Sequence, residues 1–243
     1  MMSNKESEGD EYVIGDIHGR KEALIQCLER SQFDYDKDTL IVLGDVCDGG
    51  YDTYECVEIL LKIKNLIYIL GNHDKWFIDH IATGWSENLW LHQGGANTIE
   101  SYGGKARLRG AIYEPGDVYQ EVKVPVTHQE FFNNVKYYHI TKDKDVFVHG
   151  GFHPSYGPAK SDKHTLLWDR LLIEYAKEKA IKPWKRIFIG HTTTQTYGDS
   201  TIPLKFNNLW MIDTGAGWSG KLTIMNTETE EYWQSDKQKP AGR

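Results

Sequence analysis

Short β-branched runs alternate along the chain with longer segments whose apolar positions recur every three or four residues. "YVIGD", residues 12–16, precedes "KEALIQCLERS"; "TLIVLGD" precedes "TYECVEILLKIK"; "NLIYILGNHD" precedes "KWFIDHIATG". The short runs predict strands and the longer ones amphipathic helices. Three such pairs in succession predict βαβα units and a mostly parallel inner sheet.

From roughly Trp76 to His139 the pattern loses its regularity, with glycine clusters at "QGGAN" and "YGGK" and aromatic residues throughout. This segment, about 76–139, predicts a helical and loop insertion that caps or rims the rest. Strand signals resume at "DVFVHGG", and "KRIFIGHT", "LWMIDTG", "KLTIMNT" and "EEYWQ" close the chain. Those last four suggest a second, antiparallel-rich sheet rather than further crossover units. No repeat, low-complexity segment or linker divides the chain, so residues 11–243 read as one domain behind a disordered polar tail at 1–10.

Composition narrows the classes. A chain of 243 residues, 40% of them hydrophobic, can bury a substantial core. Its net charge of −7 argues against nucleic acid as a partner and requires any anionic substrate to be drawn in locally. The three cysteines, Cys27, Cys47 and Cys56, are too few and scattered for a disulfide framework or a cysteine-rich zinc site. The opening "MMSNKESEGDE" lacks the basic start and apolar run of a signal peptide, and no later run is long enough to cross a bilayer. A soluble, cytoplasmic protein is expected.

Candidate chemistry collects where the apolar runs end. Asp16 and His18 follow the first, and residues two apart on a strand face one side. Taken alone, Asp16 could cap the next helix and His18 be an ordinary loop histidine. They are not alone: "LGDVCDGG" ends the next run with Asp45, "LGNHD" the following one with Asn72 and His73, "VHGG" supplies His149 and "IGHT" supplies His191. Open α/β sheets bind ligands outside the carboxyl ends of their strands. Polar groups gathered at one buried edge stay unsatisfied unless something positive holds them, which a pair of divalent cations would do. Carboxylate, amide and imidazole donors without cysteine suit manganese, iron or zinc.

The ordered set "GDIHG", "GDVCDGG", "GNHD", "HGG" and "GHT" resembles the calcineurin-like metallophosphoesterases, in particular the phosphoprotein phosphatase branch with its bacterial and bacteriophage lambda-type members. The similarity spans roughly Val13 to Trp233. It implies an α/β (α+β sandwich) fold of four αββα layers, with two central mixed sheets flanked by helices and a two-metal centre between them. Carried over block by block, Asp16, His18 and Asp45 would hold the first metal and Asp45 would bridge to the second. Asn72, His149 and His191 would complete the second site. Two cations sharing a carboxylate can lower the pKa of a water between them, so that hydroxide attacks phosphorus in line.

The leaving group then needs a proton donor, and the phosphoryl oxygens a cation. His73 is the expected donor, because neighbouring residues at a strand end point apart and Asn72 already turns to metal; the resemblance makes Asp48 its partner. Where eukaryotic-type protein phosphatases usually read D-R-G this chain reads "DGG", so Gly49 replaces a phosphate-gripping arginine, and Asp74 stands where they usually have glutamate. Glycine cannot supply arginine's two-pronged donor. Arg170 in "LLWDR" matches a second phosphate-binding arginine of lambda-type members, with Asn72 as its companion on phosphate; Arg20 and Lys75 are weaker candidates.

The remaining histidines have no matching donor at ligand spacing and are read as packing or surface residues. Trp76, Trp85 and Trp90 are read as core, and Lys182, Lys185 and Arg186 as a solvated face. Three functions follow in order: a phosphomonoesterase acting on a phosphorylated protein or small phosphoester, a dinucleoside polyphosphate hydrolase on the same centre, and a metal-binding scaffold.

Overall fold

The computed structural model describes residues 9–108, 117–120 and 122–240, with the backbone alone for 117–120. Strands β1 (Glu11–Ile14), β2 (Thr39–Val42) and β3 (Asn65–Tyr68) alternate with helices α1 (Lys21–Arg30), α2 (Thr53–Leu60) and α3 (Asn72–Thr83). Next come α4 (Asn88–Trp90), a π-helical turn (Leu91–Gly95) and α5 (Ala96–Ser101), then the antiparallel pair β4 (Lys105–Arg107) and β5 (Asp117–Gln120). Helix α6 (Val126–Asn133), β6 (Tyr138–Ile140) and β7 (Asp145–Val148) follow, with α7 (Lys163–Trp168) and α8 (Leu171–Glu178) before β8 (Arg186–Ile189). The chain closes with β9 (Leu204–Phe206), β10 (Leu209–Met211), β11 (Thr223–Asn226) and β12 (Tyr232–Gln234).

Two five-stranded mixed sheets result, ordered β12-β11-β1-β2-β3 and β6-β7-β8-β10-β9. Their strands read as nearly unbroken apolar runs because both faces are buried. Val13, Ile41, Phe147, Phe188 and Met225 share one cluster between the sheets, where the Phe147 and Phe188 rings stack with centroids 4.9 Å apart. The alternate residues Tyr12, Ile14, Leu40 and Val42 turn outward and pack with Leu24, Cys27 and Leu28 of α1. On the far side Val146, Val148, Ile187 and Ile189 pack with Leu172, Ile173 and Ala176 of α8. The period of two thus distributes each strand between two apolar layers and gives four layers in all.

The closing segments divide differently from the expected second antiparallel sheet. β8 and β10 lie parallel in the sheet of β7, whereas β11 returns to the first sheet antiparallel to β1 and β12 pairs antiparallel with β11 at its edge. Apolar alternation records burial on two faces, not which sheet supplies the neighbour. Segment 76–139 carries core as well as rim. Phe77, Trp90, Phe131 and Phe132 are fully buried or nearly so, and Lys136 bridges to Ile69 at the edge of the first sheet before β6 joins the second. The expected tail lies almost wholly outside the described residues.

Arg186 is not on a solvated face. It is 9% exposed, donates from Nε to Asp145 Oδ1 at 3.0 Å and from a terminal nitrogen to Oδ2, and donates also to the Thr227 carbonyl. One guanidinium therefore ties β7 and β8 to the turn after β11. Of the three tryptophans read as core, Trp90 is 1% exposed but Trp85 is 53% exposed.

Candidate metal centre

The site lies past the carboxyl ends of five strands, and its loops hold one another in place. Strand β1 ends at Ile14, so Asp16 and His18 sit on a loop rather than on the strand. Their shared direction comes from backbone bonds: the Ile17 and His18 amides both donate to the Asp45 carbonyl, at 3.1 and 2.8 Å. His18, Asp45, Asp48 and His191 all adopt positive φ, 50°, 48°, 71° and 61°. Non-glycine residues hold that conformation only where their surroundings fix it, and such strain clusters at functional sites.

Asn72 and His73 open helix α3 instead of ending a strand. Asp74, the third residue of the helix, accepts the amides of Asp45 (2.7 Å), Val46 (2.9 Å), Cys47 (3.1 Å) and Gly71 (3.1 Å). One buried carboxylate thereby fixes the loop after β2 and caps the helix. The His73 amide donates to Asp45 Oδ1 at 2.9 Å, which points the helix N-terminus at the Asp45 carboxylate. A side chain at Gly71 would run into that carboxylate, so glycine is required there.

Two triads of possible ligand atoms share one residue. Asp16, His18 and Asp45 form one, and Asp45, His149 and His191 the other, with the atoms of each within 4.8 Å of one another. The donor chemistry fits a pair of cations. Asp16 Oδ1 and His191 Nε2 are buried with no hydrogen-bond partner. His18 and His149 place Nδ1 on the carbonyls of Cys47 (2.9 Å) and Leu43 (2.8 Å), which leaves each Nε2 lone pair facing the centre. His149 Nε2 lies 2.9 Å from Asn72 Oδ1 and 3.3 Å from Asp45 Oδ2; burial would lower its pKa, but the Asp45 carboxylate raises it above the ordinary imidazole value.

Electrostatics point the same way. Burial drives Asp16 well above the usual carboxylate range, reinforced by Asp213 and Asp45. Burial would also raise Asp45, but the imidazoles of His149, His73 and His18 hold it low. Burial lowers His18 to about 4, and burial with His149 and Arg170 lowers His191 to about 2, so both rings are neutral, as ligands must be. Asp213 adds a third buried carboxylate, raised to about 6 by burial and Asp45. It lies in "IDTG", a strand-end acid like the others, and its place after an apolar run is the signal the sequence carries for it.

His73 lies beside the ligands. Its Nδ1–H donates to Asp48 Oδ2 at 2.6 Å, and Asp48 also receives the Trp90 indole N–H (2.9 Å) and the Thr98 hydroxyl (2.7 Å). Burial alone would lower the His73 pKa; Asp45 and Asp48 reverse this and raise it to about 9. Both carboxylates favour the protonated ring at neutral pH. Trp90 is thus core and donor together, a role that an aromatic among aromatics does not announce in sequence.

His18, Asp45, Asn72, His73 and His191 line a cavity of about 380 Å³ with Trp76, Trp168, Arg170, Asp213 and Trp218 in its walls. Residues 12–215 match the calcineurin-like phosphoesterase family. The chain belongs to that family. A serine/threonine-protein phosphatase 1 of Salmonella typhimurium is 28% identical over 215 residues, spanning 88% of this chain and 89% of that protein. A symmetrical bis(5'-nucleosyl)-tetraphosphatase of Neisseria gonorrhoeae is 24% identical, spanning 92% and 94%. A crystal structure of a protein provisionally named diadenosine tetraphosphatase superposes with a TM-score of 0.68 at 16% identity and 94% coverage of both chains, a likeness of fold.

This calcineurin-like phosphoesterase is a hydrolase of phosphoester bonds, and its cavity brings together most of the residues singled out in sequence. Asp45, Asn72, His73, Arg170, His18 and His191 line it, while Asp16 and His149 stand directly behind, Asp16 Oδ2 accepting the His191 amide at 3.0 Å. Arg20 is turned away, with its guanidinium on the Gly217 carbonyl, and Lys75 is paired with Asp79 along α3. At Gly49, φ is +71° and a Cβ would lie 3.0 Å from His18 Cβ, so a side chain there would be both strained and crowded. Among the described residues no helix is long and apolar enough to cross a membrane.

Proposed function

We propose that the chain is a metal-dependent phosphomonoesterase of the serine/threonine phosphatase type, acting from the cytoplasm on a phosphorylated protein. The observation that carries the reaction class is the pair of ligand triads sharing Asp45, set beside a protonated His73. In this reading Asp16, His18 and Asp45 hold one divalent cation, and Asp45, Asn72, His149 and His191 a second; manganese, iron or zinc all suit these donors. Bound there, such a pair activates water and neutralises phosphate charge. The protein's own side chains do the rest. Arg170 and Asn72 at the cavity wall orient the phosphoryl oxygens, and His73 gives its proton to the departing alkoxide while Asp48 holds the ring. Three buried, free thiols suit a reducing compartment.

A dinucleoside tetraphosphatase is the second reading, favoured by the absence of an arginine at Gly49 and by the Neisseria relative. Hydrolysis of a phosphoserine peptide and of diadenosine tetraphosphate, compared at equal concentration with manganese, separates the two. The proposal expects the larger kcat/KM on the peptide; a preference for the dinucleotide would reverse the assignment.

A further inference from the structure

Beside the metal-centre cavity lies a second one of about 510 Å³, a size typical of ligand sites. Gln93 and Trp218 line both, so the two are neighbours sharing a wall. Gly49 lines the second cavity. The loop that bears it is firmly held: the Asn97 amide donates to the Gly49 carbonyl at 2.6 Å, and Thr98 accepts the Asp48 N–H at 2.8 Å. Gly94, at φ +105°, lets the π-helical turn close against the Gly49 amide, because a Cβ there would collide with it.

The lining of this cavity is mainly apolar, with Tyr51 at 44% and Trp218 at 50% exposure presenting ring surface alongside Leu91, Ala106 and Leu108, and with His92, Gln93 and Asn97 among its polar groups. Among the described lining residues of both cavities Arg170 is the single lysine or arginine, and the second cavity contributes the carboxylate of Glu100. Among the described lining residues a tetraphosphate chain leaving the metal centre on this side would meet the Glu100 carboxylate and aromatic rings, with no lysine or arginine facing its remaining phosphates. A peptide continuing from a phosphorylated residue would bring neutral backbone and one side chain.

We propose that this second cavity is a specificity subsite that seats an apolar or aromatic side chain within two residues of the phosphorylated serine or threonine. The inference rests on the phosphoprotein reading above and adds to it a sequence preference set by Tyr51, Leu108 and Trp218. An acidic neighbour is disfavoured by Glu100, and a small one leaves the rings exposed to water.

The test uses the full chain, loaded with manganese, and phosphoserine peptides identical except for tryptophan, alanine or glutamate placed in turn at each of the two positions on either side. At one position the tryptophan peptide should exceed the alanine peptide in kcat/KM by about tenfold, the gain expected from burying one aromatic side chain. The glutamate peptide should fall below both. Leu108→Glu, at an exposed wall position, and Tyr51→Ala should each bring the ratio of tryptophan to alanine close to one. Equal kcat/KM on all peptides would overturn the subsite while leaving the phosphoprotein reading intact. An unchanged ratio in both variants would also overturn it, because the preference would then arise elsewhere. Turnover of diadenosine tetraphosphate with none of any peptide would remove both.

Discussion

His73 and Asp48 are locked together by a 2.6 Å bond between buried side chains, and Trp90 and Thr98 hold the aspartate on both of its oxygens. The proposed general acid is therefore positioned from the segment that follows α3, beside the loops that carry the candidate metal ligands. If His73 donates the leaving-group proton, His73→Gln lowers kcat by a factor of roughly 10²–10⁴ on an alkyl phosphate. Metal content, read by atomic emission, stays near wild type, and a p-nitrophenyl ester, whose leaving group needs little help, is affected far less.

The same pair sets a pH dependence. Asp48 and Asp45 raise His73 to about 9, so the acid form is populated at pH 7 and is lost as pH rises through that value. Removing the Asp48 charge removes part of the elevation, so in Asp48→Asn the alkaline limb of kcat moves toward lower pH. A pH-rate profile on an alkyl phosphate checks this; an unmoved limb would assign the proton to another group.

Asp74 touches neither substrate nor the ligand atoms, yet four backbone amides converge on it. Asparagine at this position turns a donor toward at least one of those amides and releases the Asp45 loop. Asp74→Asn is expected to weaken metal binding by about 10–100-fold, as loss of a group supporting a ligand commonly does. Isothermal titration of the apo protein with manganese measures it directly.

Arg170 is the one lysine or arginine in the cavity wall among the described residues. Its replacement by alanine removes a charge-assisted donor to phosphate. The expected result is KM raised about tenfold, with a smaller fall in kcat, measured on p-nitrophenyl phosphate.

Arg186 makes a separate, structural prediction. Arg186→Met leaves Asp145 buried without its partner, and breaking a buried pair in this way costs roughly 3–5 kcal/mol. Thermal unfolding should shift down by about 10 °C for a chain of this size. The metal site, which Arg186 does not touch, should retain its ligand geometry.

Much of the site was legible because its chemistry is written at strand ends. Asp16, Asp45 and His191 each follow an apolar run and a glycine, His149 follows its apolar run directly, and the structure brings each within ligand distance of Asp45. The route was partly different: Asp16 and His18 face one point through a strained loop, and His73 diverges from Asn72 because both lie on the first turn of a helix. Other features depend on contacts far apart in the chain, which local pattern does not record. Asp213 joins the acids from the tenth strand, Trp90 reaches Asp48 across 42 positions, and Arg186 meets Asp145 across 41. β11 and β12 show the same limit, since an apolar alternation is satisfied equally by either sheet.

The central claim is that Asp45 joins two cation sites into one hydrolytic centre. Its most direct test is hydrolysis of p-nitrophenyl phosphate by metal-stripped protein as manganese is added, with Asp45→Ala beside the wild type. No turnover is expected without metal, turnover rises with manganese in the wild type, and the folded variant shows none. Hydrolysis by the stripped protein, or manganese-dependent turnover by Asp45→Ala at the wild-type rate, would contradict it.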